Sequence, residues 1–305
     1  MRAFFEAMFF APRWYHRVVS FVLLPLSWVY GAGMWLRRQC VKRKSFGIPI
    51  ISVGNLIVGG AGKTPFVIAL ASRYEDVVVI SRGYGRQSQG LVQVSQKGEI
   101  RTDVTQSGDE AMLMALSLPH ADVIVSENRV TAIDLAKKKG ARLIVLDDGF
   151  NRVDIDKFEI LLQPQTIPNQ RVFPAGPFRE FASQKKVANL VLTEGKEFMR
   201  EVSFEDLSEK MLLVTAISNP KRLDVYLPEG VVGKVYLEDH AYFDESALQA
   251  LLKSHGATHI LCTSKDKVKM IGFKLPIAEM KLKLALKNEI FTQIDEYIKG
   301  YRYEK

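Results

Sequence analysis

Residues 48–65, IPIISVGNLIVGGAGKTP, leave few options for the fold around them. The run IPIISV is almost wholly apolar and predicts a strand buried on both faces. It enters a loop ending Gly59-Gly60-Ala61-Gly62-Lys63-Thr64, which gives way to a helical pattern. Such a loop lets backbone N–H groups approach phosphate closely, and the helix start adds the positive end of its dipole. Lys63 is then placed to reach the β and γ phosphates, and Thr64 to set its hydroxyl on Mg²⁺. Ile57 stands where the strict G-x-x-x-x-G-K-[ST] pattern has its first glycine. The strand before the loop and the helix after it therefore carry the nucleotide-binding reading.

Further apolar runs at 77–81, 122–125, 143–146, 158–162 and 189–192 alternate with helical patterns at 64–74, 109–118 and 129–139. This rhythm predicts an α/β fold with a P-loop NTPase-type, mostly parallel sheet. Beyond residue 200, strands near 211–216, 231–237, 258–263 and 277–284 accompany helices at 244–254 and 288–299. They predict a second, smaller α/β domain. The expected division is an N-terminal membrane-associated segment over 1–44, a P-loop nucleotide-binding domain over 45–200, and a domain over 201–305 that closes over the site.

Residues 18–36, VVSFVLLPLSWVYGAGMWL, are uncharged and flanked by basic residues on both sides. The length is near the minimum for a membrane span, but Pro25 interrupts it and Ser20, Ser27, Gly31 and Gly33 dilute its hydrophobicity. A monotopic helix fits best, with Trp14, Trp28 and Trp35 at headgroup depth and Arg or Lys on anionic lipid. A buried core helix is the competing expectation, and a full span ranks below both. The net charge of +8 likewise favours an anionic partner. No nucleic-acid-binding motif accompanies it. Cys40 and Cys262 match no metal or redox spacing, so they read as free thiols.

Acidic residues stand at two predicted element ends. RLIVL runs into Asp147-Asp148-Gly149, which places two carboxylates where open α/β sheets bind ligands, although Asp and Gly also suit a turn. Asp109 and Glu110 precede the apolar run AMLMALSL, where they serve either as a helix start or as a proton acceptor at the mouth of the sheet. His240 ends a predicted strand, and spacing alone does not join it to Asp109. Arg82-Gly83-Tyr84-Gly85-Arg86 and the loop PAGPFRE over 174–180, which carries Arg179, present guanidiniums suited to phosphate.

In this order the motifs resemble the tetraacyldisaccharide 4′-kinase family, the lipid A 4′-kinases. The likeness rests on SVGNLIVGGAGKTP at 52–65, SRGYGR at 81–86, GDEAMLMA at 108–115, NRVTA at 128–132 and DDGF at 147–150. It continues through FPAGPFRE at 173–180, TAISNPKRL at 215–223, DHAYF at 239–243 and TSKDKVK at 263–269. The resemblance implies transfer of the ATP γ-phosphoryl group to the 4′-hydroxyl of a tetraacyldisaccharide 1-phosphate at the cytoplasmic face of the bacterial inner membrane. It implies Asp109 and His240 as a base dyad, and Lys63 as catalytic. Gly59, Gly60, Ala61, Gly62, Lys63 and Thr64 would cradle ATP, and Thr64, Asp147 and Asp148 would hold Mg²⁺. Tyr84, Arg86 and Arg129 match positions lining the nucleotide or lipid-phosphate cleft. Expected partners are the lipid A disaccharide 1-phosphate precursor and the anionic membrane surface, with no nucleic acid and no protein partner. Two positions depart from the family pattern: Asn151-Arg152 follow DDGF in place of Gln-His, and Ser264 stands where Glu is common. A membrane-associated regulatory or partitioning ATPase is the alternative, since such proteins share the GG-x-GKT loop.

Overall fold

Three helices, α1 (Arg2–Phe10), α2 (Trp14–Val22) and α3 (Leu24–Cys40), precede the first strand in the computed structural model, which describes residues 2–59 and 62–301. β1 (Ile50–Gly54) leads through the glycine loop into α4 (Lys63–Ala71), and β2 (Val77–Ser81) follows. A hairpin, β3 (Val92–Gln96) and β4 (Glu99–Ile100), comes before α5 (Val104–Ser107), α6 (Asp109–Ser117), β5 (Asp122–Val125) and α7 (Arg129–Lys138). Next are β6 (Leu143–Asp147), β7 (Phe158–Gln163), β8 (Leu190–Thr193) and β9 (Phe198–Glu205). The chain finishes with β10 (Met211–Thr215), β11 (Val231–Tyr236), α8 (Glu245–His255), β12 (His259–Thr263), α9 (Ser264–Lys267), β13 (Ile277–Leu286) and α10 (Asn288–Gly300).

The residues group into two units, each discontinuous in sequence. The first comprises 1–63, 142–199 and 286–305. Its strands run in the order β6-β1-β7-β8, all parallel. Every residue of β1 is buried, which explains why this strand reads as an unbroken apolar run. Val53 pairs with Asp147, so the loop after β1 and the acidic end of β6 leave the same edge together. α10 groups with this unit: its Ile290, Phe291 and Ile294 are buried, and the Tyr297 hydroxyl lies 3.3 Å from the Ile50 backbone.

The second unit comprises 64–141 and 200–285. β2 and β5 are parallel, whereas β3 pairs antiparallel with both β5 and β4. A separate sheet has the order β11-β10-β12-β13-β9, with α8 against it. Side-chain caps fix the helix starts: Asn128 accepts from Val130 and Thr131 N–H, and Asp244 accepts from Ala247 N–H.

The amino-terminal helices correct the buried-core expectation. Among the described residues no single helix is long and apolar enough to cross a membrane, and α2 and α3 meet at a bend of 58°. Their large apolar side chains face outward: Trp14 is 77% exposed, Phe21 66%, Trp28 65% and Val29 71%. The inward face is small and polar, formed by His16, Ser20, Ser27, Gly31 and Arg38. Ser20 Oγ donates to the Ala175 carbonyl, and Ala175 N–H donates to Ser27 Oγ at 2.9 Å. At Gly31 a Cβ would lie 2.5 Å from the Phe181 ring, so only glycine admits this approach. Arg38 holds Glu180 through two bonds of 2.8 and 2.9 Å and lies over the Phe150 ring.

Replacing Gly31 by Val should overfill the Phe181 contact and lower unfolding free energy by about 1–3 kcal/mol. Chemical denaturation of the variant beside the wild type checks this.

Candidate active site

In the first unit the end of β6 and the glycine loop converge on Asp148. Lys63 Nζ lies 3.0 Å from Asp148 Oδ1 and donates to Asn55 Oδ1 at 3.1 Å. Asn55 Nδ2 donates to the Gly59 carbonyl at 3.4 Å, tying the start of the loop to its lysine. Arg179 Nη1 contacts both Asp148 carboxylate oxygens at 3.2 and 3.3 Å. Burial alone would raise the Asp148 pKa, but the Lys63 and Arg179 charges outweigh it and hold the carboxyl below its ordinary range. Asp148 has φ +51, a left-handed conformation that non-glycine residues adopt rarely. Asp147 beside it is buried. Gly60 and Ala61 lie outside the described residues.

These groups suit Mg²⁺ with a nucleotide phosphate. That ion keeps several waters and takes one or two carboxylates plus phosphate oxygens. Two adjacent acids at a strand end, one of them held ionised by cations, match that donor set. Among the described residues no cluster of three or more His, Cys, Asp or Glu side chains forms a protein-only cage. Thr64 is the second residue of α4.

In the second unit the residues Asp109 and His240, separated by 131 positions, meet directly. His240 Nδ1 lies 3.0 Å from both carboxylate oxygens of Asp109. Gly108 sets up the approach: it takes φ +83, and a Cβ there would come within 2.8 Å of the Tyr84 carbonyl. Asp109 therefore opens α6 with its own side chain accepting from Glu110 N–H at 2.8 Å. His240 is itself left-handed, φ +63, and the Tyr84 ring packs on its imidazole at 5.0 Å. Backbone strain of this kind persists only where surrounding contacts enforce it.

The cations beside this pair are Lys265 and Lys269. Lys265 Nζ is 3.8 Å from Asp109 Oδ2 and 3.1 Å from Glu110 Oε1, and lies 3.5 Å from His240 Nε2. Lys269 Nζ is also 3.8 Å from Asp109 Oδ2, with its side chain only 1% exposed. Burial pushes the Asp109 pKa up, but the His240 hydrogen bond and the charges of Lys265, His240 and Lys269 reverse this, leaving the group below its ordinary range. Burial, with the charges of Asp109 and Asp103, raises the Tyr242 phenol and so keeps it protonated.

Other sequence candidates have different surroundings. The Arg86 guanidinium donates to Glu127 and to the Gly90 carbonyl, which fastens its own loop. Arg129 is buried at the start of α7 and donates to the Ser126 carbonyl. Arg152 is committed to Asp154 by bonds of 3.1 and 2.7 Å. The sequence reading did not single out Asn55, Lys265, Asp266 or Lys269. The acid and base alternation in SKDKVK was the available signal for the last three.

The chain is similar over residues 19–299 to the family described as Tetraacyldisaccharide-1-P 4′-kinase. A tetraacyldisaccharide 4′-kinase of Helicobacter pylori is 44% identical over 303 residues, covering 99% of this chain and 97% of that protein. Its counterpart from Campylobacter jejuni is 39% identical over 296 residues, covering 96% of this chain and 95% of that protein. A crystal structure of LpxK from Aquifex aeolicus in complex with ATP superposes with a TM-score of 0.77 at 27% identity, covering 93% of this chain and all of that one.

Because Asp109 has a lowered folded pKa, the stability it contributes is fully present above its unfolded value, about 4, and disappears as pH falls through the folded value. Asp109→Asn should therefore flatten the loss of stability on acidification while leaving the protein weaker at neutral pH. Denaturant titrations at a series of acidic pH values read this directly.

Proposed function

This chain belongs to the tetraacyldisaccharide-1-P 4′-kinase family, and on that footing we propose how its own residues carry the reaction. It is an ATP-dependent kinase of lipid A biosynthesis; full-length likeness to kinases of one specificity disfavours the regulatory ATPase reading. The acceptor is the 4′-hydroxyl of a tetraacyldisaccharide 1-phosphate. Its oxygen forms the new bond to the γ-phosphorus, the bond to the bridging oxygen breaks, and ADP leaves. The hydroxyl proton passes to the Asp109–His240 pair. The observation that carries this is the 3.0 Å contact of His240 Nδ1 with both Asp109 oxygens.

Lys63 and Arg179 offset the charge that develops on the transferred group, as fixed cations do in phosphoryl transfer. Gly59, Gly60, Ala61 and Gly62 would cradle the phosphates. Thr64, Asp147 and Asp148 would hold Mg²⁺, which when bound neutralises phosphate charge. Tyr84 sits on His240 at the exposed side of the pair and is suited to contact the sugar. Arg86 and Arg129 support the Tyr84 loop and the start of α7 from behind, through Glu127 and Ser126.

The enzyme works as a monotopic or peripheral protein on the cytoplasmic face of the inner membrane. The outward apolar side chains of α2 and α3 support this reading, together with Arg13, Arg17, Arg37, Lys42, Arg43 and Lys44 around them. A tryptophan-bearing apolar face with basic flanks binds anionic lipid through burial plus electrostatic attraction.

Purified protein given radiolabelled ATP and the tetraacyldisaccharide 1-phosphate should produce a labelled bisphosphorylated lipid. Asp109→Ala should reduce transfer by about 10²–10⁴-fold while ATP still binds; near-normal turnover would remove Asp109 from the mechanism. The double change Phe21→Ser with Trp28→Ser should weaken sedimentation with phosphatidylglycerol vesicles severalfold without changing the fold. Unaltered sedimentation would sink the membrane reading.

A further inference from the structure

We propose that Lys269, acting with Asp266, is the positioning residue of the Asp109–His240 pair, an inference that rests on the proton-acceptor reading above. His240 needs positioning because its backbone sits in a left-handed conformation. The peptides that hold it are themselves held. Its N–H donates to the Ala216 carbonyl at 3.0 Å, and the N–H of Ala216 donates to Asp266 Oδ1 at 3.0 Å. On the other side of His240, the Ala241 carbonyl accepts from Lys269 Nζ at 2.9 Å.

Lys269 and Asp266 close this arrangement on each other at 3.2 Å, both almost fully buried. Asp266 also accepts from the hydroxyls of Thr215 and Thr263 at 2.6 and 2.7 Å, so its carboxylate is fixed from β10 and β12. The Lys269 ammonium lies 4.7 Å from the centre of the Phe243 ring, which shields it from water on that side. A single ammonium thus touches the main chain after His240, the acid that braces the main chain before it, and the field around Asp109. Within this charge set Glu110 pairs with Lys265, Asp239 lies 3.7 Å from His240 Nε2, and the Tyr242 phenol stays neutral.

The two roles of Lys269 separate on substitution. Lys269→Met removes the charge and the bond to Ala241, whereas Lys269→Arg keeps the charge. Asp266→Asn removes the negative charge next to the ammonium and keeps one of the two accepting oxygens, at the same size. The test measures turnover against pH for the three full-length variants, with ATP and the tetraacyldisaccharide 1-phosphate. Lys269→Met should lower kcat by about tenfold or more with KM for ATP within about twofold. Its acid limb should move up by about one pH unit, because the lost cation favoured the deprotonated pair. Asp266→Asn should lower kcat with the acid limb moving down. Lys269→Arg should keep the wild-type acid limb at reduced kcat.

A Lys269→Met enzyme with wild-type kcat and acid limb overturns the proposal. So does equal loss in the Met and Arg variants with no movement of the limb, which marks a packing role alone. If Lys269→Met fails to fold by circular dichroism, Asp266→Asn decides, and a wild-type profile there overturns the inference. Asp109→Ala run alongside separates the two levels: an inactive Asp109→Ala beside a normal Lys269→Met rejects only the positioning role, whereas an active Asp109→Ala rejects the proton-acceptor reading itself.

Discussion

Taking a carboxylate out of water costs several kcal/mol unless a cation accompanies it, and stripping one partner from a buried pair costs about 3–5 kcal/mol. This fold meets that constraint repeatedly. Arg38 with Glu180 at 2.8 Å and Lys157 with Glu159 at 2.6 Å are enclosed pairs that hold loops to helices and strands. The same arrangement, left partly open, makes the reactive sites. Asp148 lies between Lys63 and Arg179, and Asp109 between His240 and two lysines. In each of these the carboxylate stays ionised and fixed, so little rearrangement is needed when charge moves during phosphoryl transfer. Asp148 and His240 also share a left-handed backbone, which couples side-chain placement to main-chain bonds rather than to rotamer choice.

The amino-terminal helices reverse the usual arrangement of a surface helix. Their small and polar residues face the protein, where Ser20 and Ser27 bond the backbone of Ala175 and Gly31 meets Phe181. Close backbone contact attaches α2 and α3, with Tyr30 packed against the core beside it. The large apolar side chains of α2 and α3 are left exposed. A helix whose stability inside the fold owes little to its apolar face can exchange water for lipid there without loosening its protein contacts.

Much of the first unit was legible because strands buried on both faces write themselves as apolar runs, as IISVG and LIVLD do. The strands β3, β4 and β9 were not. FMREVSFE alternates between more and less buried positions and carries charge, as befits β9 at the edge of its sheet. Helix α4 ends at Ala71, short of the expected 74. The meeting of Asp109 with His240 came only from family resemblance, since no periodicity joins residues 131 apart. The glycine neighbours of Arg86 mark its guanidinium as suited to phosphate, whereas its contact with Glu127, distant in sequence, leaves no local trace. Lys269 escaped notice because a lysine's burial cannot be read from its own neighbours; it depends on the acids that α6 and α9 bring around it.

The chain has three tryptophans, and all of them lie in α2 and α3, with Trp14, Trp28 and Trp35 respectively 77%, 65% and 47% exposed. Its intrinsic indole emission is therefore a reporter of that one surface. The spectrum will shift when those helices change medium and stay nearly silent while the phosphate loop or the histidine changes state. Optical signals from this protein thus separate where it sits from what it is doing.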